Sequence, residues 1–154
     1  MMLKADYSLN MNLSTSDVWR YLEDWSNWAK QVPGYQTHKN VSALDSIWEL
    51  HGKAGTITKD LKLYVTITEM TSPSTVQFRF RDSEERCFGS GCFELSDLSS
   101  RSSKLTCLLE LELKGLTGKM SAPLVGSLLP ALLEKFVQRI VRPLTETDTV
   151  ALSL

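Results

Sequence analysis

Cysteine is scarce in this chain of 154 residues, and its spacing fits neither a metal site nor a disulfide framework. The three cysteines, Cys87, Cys92 and Cys107, form an odd set. Zinc knuckles and thioredoxin-like sites place two residues between paired cysteines, and Cys87 and Cys92 lie further apart than that. The sequence therefore predicts three free thiols in a reducing compartment, with no metal bound.

A strong charge of one sign is also missing. The formal net charge is -1 at pH 7, and the 17 basic residues are scattered along the chain. No aromatic-rich basic motif of the RNA-recognition kind is present. Because nucleic acids are bound chiefly through basic surfaces, we expect no nucleic-acid partner.

Long apolar runs are equally absent. The first residues, Met-Met-Leu-Lys-Ala-Asp-Tyr, contain no apolar stretch of the length that a secretory signal or a transmembrane helix needs. This predicts a cytoplasmic protein. Hydrophobic residues make up 42% and charged residues 23% of the chain, so a single globular domain of ordinary composition is expected.

Motifs of known catalytic chemistry are missing too. The chain has no Ser-His-Asp order, no His-x-x-x-His or carboxylate-histidine cluster, and no glycine-rich phosphate loop. His51 shares one strand face with Glu49 and Lys53, and that face is opposite to the one carrying Trp48 and Leu50. This arrangement favours an exposed polar ladder over an acid-base pair. We predict no catalytic residues and no cofactor.

What the chain does have is repeated alternation of apolar and polar residues. Residues 3–13 alternate with the period of a half-buried strand, and residues 35–81 contain four further strands. Two more strands follow, separated by the polar loop 99–103. The fourth strand of the whole chain spans about fifteen residues and would measure roughly 50 Å if straight. We expect it to bend near Lys59 and Asp60, where charge interrupts the apolar face.

Helical spacing of apolar residues occurs in three places. Residues 17–22 and 24–30 predict two short helices, and residues 121–142 predict a long one. The long helix carries two apolar rows, so it requires a large apolar partner surface. Pro130 lies inside it with Gly126 four residues earlier, which predicts a kink.

This order of elements predicts an α+β fold in which helices lie on one side of an antiparallel sheet of about seven strands. Gly89 and Gly91 fall on the inward face beside Phe93, where missing side chains permit sharp curvature or leave empty volume. Either outcome favours a concave sheet around the long helix. We expect one domain over residues 1–144 and a loosely attached tail over residues 145–154.

The same order of elements resembles the START-like or Bet v 1-like superfamily (SRPBCC), the polyketide cyclase/dehydrase and lipid-transport group. Within that group, residues 22–35, Leu-Glu-Asp-Trp-Ser-Asn-Trp-Ala-Lys-Gln-Val-Pro-Gly-Tyr, resemble the turn into the second strand of the branch related to a small carbon monoxide dehydrogenase protein. The resemblance implies a helix-grip fold with a pocket between the sheet and the C-terminal helix. It also implies binding of lipids, quinones, hormones or polyketides, with cyclase activity in some members.

Fifteen residues are predicted to contact a ligand in that pocket. They are the aromatic group at the mouth and the inward apolar residues of strands and helix: Trp25, Trp28, Tyr35, Trp48, Leu50, Leu63, Val65, Phe78, Phe80, Phe93, Leu109, Leu111, Leu128, Leu132 and Phe136. The alternative is that the inward residues simply fill the core, and that the two mouth tryptophans seal a short helix to the sheet.

A charged group and an uncharged segment add two further hypotheses. Lys59 has inward parity, so it either turns outward at a bulge or pairs with a polar group on a ligand. Residues 115–133 are the candidate segment for transient contact with a membrane or a partner protein; the alternative is a helix buried on most sides.

Three functions follow from these features. The leading hypothesis is a non-catalytic carrier or sensor of a hydrophobic molecule such as a quinone, lipid or polyketide-like compound. A second is a polyketide cyclase or dehydratase acting in the same cavity. A third is an accessory or assembly protein that binds another polypeptide. Convergent titratable side chains inside the cavity would favour the enzyme, and a filled interior would favour the assembly protein.

Overall fold

The structure, a computed structural model, describes residues 2–54, 57–114 and 122–153; within these ranges it leaves out the side chains of residues 53–54, 57–59, 122–124 and 145–153. Across the described residues, strands and helices follow one another in the predicted order. One strand comes first, then two short helices, six strands and a long helix. The chain is therefore an α+β protein, as its sequence predicts.

Seven strands form one antiparallel sheet. They are β1 (Met2–Met11), β2 (Tyr35–Asn40), β3 (Asp45–Ala54), β4 (Ile57–Thr71), β5 (Thr75–Asp82), β6 (Cys87–Ser99) and β7 (Ser102–Leu113). Their spatial order is β1-β7-β6-β5-β4-β3-β2. Only β1 leaves the sequential meander, because it pairs with the last strand. Alternation places the apolar residues of each strand on one face, which is the buried one.

Two short helices, α1 (Thr15–Leu22) and α2 (Trp25–Ala29), cover one end of the concave face. Each begins with a polar cap: the Ser14 side chain accepts a hydrogen bond from the Asp17 amide, and Asp24 caps α2 in the same way. The Trp28 indole donates to the Leu22 carbonyl at 3.0 Å. This bond ties α2 to the end of α1, so Trp28 has a fixed position over the sheet.

The glycines of β6 are covered by aromatic rings. A Cβ atom at Gly91 would overlap the ring of Phe78, and one at Gly89 would overlap the ring of Phe80. Both phenylalanines lie on the neighbouring strand, β5, directly opposite these glycines. The volume above the glycines is therefore filled by rings from the next strand, and the alternative of empty space at this point is wrong.

A register shift in β4 lies at a different place from the predicted bend. Pairing between β3 and β4 is regular past Lys59 and Asp60. The shift occurs between Ile67 and Glu69, where β4 pairs with β5. An extra residue at this point locally increases the twist of a strand. The charged pair at 59–60 therefore does not interrupt the ladder, since Asp60 lies on the outward face opposite His51.

The long helix α3 (Ala122–Ser153) packs mainly against β1 and also contacts β7. It continues as one helix through Pro130 and Pro143, so it extends beyond its predicted end at residue 142. Leu133, Val137 and Ile140 are its most deeply buried residues. The kink at Pro130, the domain limit at residue 144 and the loose attachment of residues 145–154 stay predictions.

Candidate ligand-binding site

A cavity of about 430 Å³ lies between the concave face of the sheet, the loop after α2 and helix α3. Its walls are mostly hydrocarbon. The residues around it are Trp28, Val32, Pro33, Gly34, Trp48, Leu50, His51, Gly52, Leu61, Leu63, Val65, Phe78, Phe80, Leu109, Leu129, Leu132, Leu133, Lys135 and Phe136. This volume falls within the range of small-molecule sites in proteins.

Ten of the fifteen residues predicted to contact a ligand border this cavity. They are Trp28, Trp48, Leu50, Leu63, Val65, Phe78, Phe80, Leu109, Leu132 and Phe136. Strand parity and the cluster at the mouth brought these residues together correctly around one space. Their contact with a ligand stays a prediction.

Two of the other five predicted residues belong to the core. Phe93 has no exposed surface and lies beneath other rings, with its centroid 5.0 Å from that of Trp28 and 5.9 Å from that of Phe136. Leu111 is also buried. Both share the inward face with the cavity residues, but Phe93 is covered by Trp28, and Leu111 does not border the cavity. The core-filling alternative fits both.

Trp25 and Tyr35 lie beside the cavity wall and form its outer support. Trp25 stacks on Trp48 with ring centroids 6.2 Å apart and meets His38 edge-on. The Tyr35 hydroxyl lies 2.7 Å from Nδ1 of His38, a residue that the sequence pattern did not single out. Half-buried His38 thus joins the two aromatics along edge strand β2. These contacts fit the interpretation in which the mouth aromatics seal a helix to the sheet.

Leu128 and Leu132 lie on the edge of α3 rather than on its buried face. Their exposed fractions are 36% and 46%, whereas Leu129 and Leu133 are 5% and 2% exposed. Leu132 still borders the cavity, and Leu128 does not. The apolar stripe of the helix is therefore wider than the surface that it buries, and Leu129 and Leu133 supply the wall that Leu128 was predicted to provide.

The rim formed by residues 32–34 was not predicted as part of the site. Gly34 has φ = 87°, and a Cβ there would overlap the His51 carbonyl oxygen. The His51 amide donates to the Gly34 carbonyl at 2.7 Å. Only glycine permits this close approach of two backbones. The Pro-Gly pair thus fixes one lip of the cavity against β3, a role that the sequence indicated only as a turn.

The polar atoms of the two tryptophans in the wall are already hydrogen-bonded. Trp28 Nε1 donates to the Leu22 carbonyl, and Trp48 Nε1 donates to the Ser46 hydroxyl at 2.7 Å. Buried indoles normally find such partners within the protein. Since both N–H groups are satisfied elsewhere, each ring presents carbon to the cavity.

His51 points away from the cavity, which confirms its predicted outward orientation. Its side chain is 45% exposed, and Nδ1 lies 2.7 Å from an oxygen of Asp60 on β4. The polar partner is therefore the cross-strand Asp60, whereas the sequence pointed to Glu49 and Lys53 of the same strand. The side chain of Lys59 lies outside the described residues.

Thiol chemistry is suppressed by burial. Burial raises the pKa of Cys87 and of Cys92 to about 11, with nearby carboxylates adding to the effect, and it raises the pKa of Cys107 further. The reactive thiolate is correspondingly rare near neutral pH. Among the described residues, no group of three or more histidine, cysteine or acidic side chains is placed to hold a metal ion. None of the helices, over the residues described, is long and apolar enough to cross a membrane.

A second hollow, of about 460 Å³, lies on the outward face of the sheet. Tyr64, Phe88, Arg79 and Arg81 are among its lining residues, and the Arg81 guanidinium lies 4.7 Å above the Tyr64 ring. Although slightly larger, it is bounded by strands on one side only and carries two arginines. The inner cavity has walls on the sheet, the loop and the helix, so we take it as the candidate site.

Comparison with known proteins places these features in a family. A protein-family model matches residues 2–146. No curated protein matches the chain in sequence. A conserved protein from Geobacillus kaustophilus is similar in structure, with a TM-score of 0.81 at 15% identity, over 94% of this chain and 97% of that one.

Two further solved structures are similar at lower scores. The Zhui aromatase/cyclase from a Streptomyces species has a TM-score of 0.63 at 13% identity, over 90% of this chain and 88% of that one. A START superfamily protein from Mycobacterium smegmatis has a TM-score of 0.65 at 13% identity, over 92% of this chain and 98% of that one. At these identities the likeness concerns the fold.

Proposed function

Because the chain belongs to the START-like, or Bet v 1-like, superfamily, we propose that it carries or senses a hydrophobic small molecule held between its sheet and α3. The observation that supports this most is the cavity of about 430 Å³ with apolar walls. A lipid, a quinone or a polyketide-like compound has the apolar body that such walls accommodate. Burial of that body would contribute roughly 25 cal/mol per Å² before the costs of association.

The walls favour binding over catalysis. An enzyme of this architecture needs titratable groups that converge on the substrate. Among the described residues around the cavity, the ionisable ones are His51 and Lys135. His51 pairs with Asp60 on the outward face, which leaves no convergent pair. The aromatase/cyclase name belongs to the Streptomyces protein, and its activity is the second hypothesis here.

An open interior also favours a small molecule over a polypeptide as the main partner. An assembly protein has no need of a cavity inside its own core, since close packing is the default of protein interiors. We retain contact with a membrane or partner through residues 115–133 as part of the proposal, together with a cytoplasmic location. Most of that segment lies outside the described residues.

Native mass spectrometry of protein purified from its own host, before and after organic extraction, tests the proposal. We expect a co-purifying apolar compound that extraction removes. A thermal-shift panel of lipids and quinones on the extracted protein should then recover stabilisation. Absence of any bound compound, together with no thermal shift across the panel, would contradict the proposal.

A matched pair of variants locates the binding. Leu109 borders the cavity, whereas Leu108, the preceding residue on β7, lies on the outward face and is 37% exposed. Leu109→Trp places an indole in the cavity, and Leu108→Trp makes the same chemical change outside it. We expect the first to weaken binding of a panel compound at least tenfold and the second to leave it unchanged. Equal affinities for the two variants would place the ligand elsewhere.

A further inference from the structure

Lys135 is the cationic side chain at the cavity. It lies on α3, one turn beyond Leu132 and next to Phe136, and all three residues border the cavity. It is exposed, and among the described side chains none forms an ion pair with it. A lysine in this position lays its apolar stem along the wall and keeps its ammonium at the water boundary.

The inner walls, in contrast, have nothing to offer a polar group. The Trp28 and Trp48 indole N–H groups are bonded to protein acceptors. Around them stand aliphatic and phenyl side chains such as Leu63 and Phe78. Placing an unpaired polar group against such a surface costs several kcal/mol. A ligand that fits is therefore apolar along its buried length and carries its polar group at the end that reaches the rim.

Charge then determines the sign of that polar end. The helix continues with half-buried Arg139, one turn after Lys135, so a second cation lies on the same side of α3. On the same stretch the Gln138 side-chain amide donates to the carboxylate of Glu134 and also to the hydroxyl of Tyr7 on β1. The acidic group of this turn is thus engaged towards β1, and the rim next to Leu132 carries positive charge.

From these observations we propose that the ligand is an amphipathic anion, with an apolar chain in the cavity and a carboxylate or phosphate head that pairs with Lys135. The inference rests on the proposed function, because it names the class of molecule that the cavity takes. A fatty acid and an alkyl phosphate share this chemistry. Since the ammonium is exposed, the pair contributes selectivity rather than most of the affinity.

Four ligands with one twelve-carbon chain and different heads test the proposal: dodecanoate, dodecyl phosphate, dodecanol and dodecylamine. Each is titrated into the protein by calorimetry below its aggregation limit. We expect the two anions to bind about two- to fivefold more tightly than dodecanol, and dodecylamine to bind most weakly. Because the ion pair is exposed, the preference should fade as salt is raised from about 0.01 M to 1 M.

Lys135→Met keeps the apolar stem and removes the charge. It should bring the affinity for dodecanoate down to that for dodecanol, with dodecanol itself unchanged. Lys104→Met, on the outward side of β7, removes the same charge far from the cavity. It should leave the anion preference intact. A greater fold-change for dodecyl phosphate than for dodecanoate would identify phosphate as the preferred head.

The outcomes separate this inference from the proposed function. If all four heads bind equally, or if Lys135→Met binds dodecanoate as tightly as the native chain does, the anion assignment is overturned while ligand binding stands. If the native chain binds none of the four, the proposed function fails and the head-group assignment fails with it.

Discussion

The affinity of this protein for linear carboxylates should rise with chain length and then stop rising when the cavity is full. Each methylene group moved from water to an apolar wall is worth about 0.8 kcal/mol. That free energy corresponds to roughly a fourfold decrease in Kd for each added carbon. The slope tests whether the walls are as apolar as Leu63, Phe78 and Leu109 make them.

The volume of the cavity sets the length at which the rise ends. A water molecule in the liquid occupies about 30 Å³, and a methylene group takes up comparable room. A cavity of about 430 Å³ therefore accommodates a chain of roughly fourteen such groups. Longer chains must extend past Leu132 and Lys135 into water, where further carbons gain little.

Isothermal titration calorimetry of saturated carboxylates with six to eighteen carbons measures both quantities. Besides the slope and the plateau, we expect a heat capacity of binding that becomes more negative with chain length, because apolar burial has that signature. Leu109→Trp should move the plateau to shorter chains, and Leu108→Trp should not. An affinity independent of chain length, or one that still rises at eighteen carbons, would refute the reasoning.

Three further predictions concern stability. Gly91→Ala places a Cβ against the Phe78 ring and should lower the free energy of unfolding by about 1–3 kcal/mol, whereas Gly126→Ala in α3 meets only ordinary contacts and should raise it by about 0.5–1 kcal/mol; urea melts of both check the opposite signs. Trp28→Phe removes a buried hydrogen bond and should cost about 1–3 kcal/mol, and an unchanged urea midpoint would contradict this. Burial raises the pKa of Cys87 from 9.0 to about 11, so its contribution to stability is present below pH 9 and is lost as the pH rises towards 11; urea midpoints compared with those of Cys87→Ala should show that loss.

Much of the fold is written locally in the sequence. An antiparallel sheet with one buried face leaves a period of two, and that period places Trp48, Leu63 and Phe78 on the face where the structure has them. Capping residues likewise locate the starts of the short helices, since Ser14 and Asp24 satisfy free amides there. These signals depend on neighbours in the chain, so they can be interpreted without coordinates.

The borders of the site depend instead on how distant elements pack. Parity assigns Phe93 and Phe78 to the same face, but only the position of Trp28 decides that Phe93 is covered. The two apolar rows of α3 look equivalent in sequence, and only its placement against β1 leaves Leu132 at the mouth and Leu133 in the wall. Lys135 was not predicted for the same reason, because its role comes from the direction that the helix faces.

Crystals of the protein with ω-bromododecanoate, measured for anomalous scattering of bromine, test the central claim most directly. The account predicts one bromine site inside the cavity, against the rings of Phe78 and Phe80, with the carboxylate at the rim beside Lys135. Bromine in the outward hollow beside Tyr64 and Arg81, or an inner cavity closed by the protein's own side chains with no bromine in it, would contradict the account.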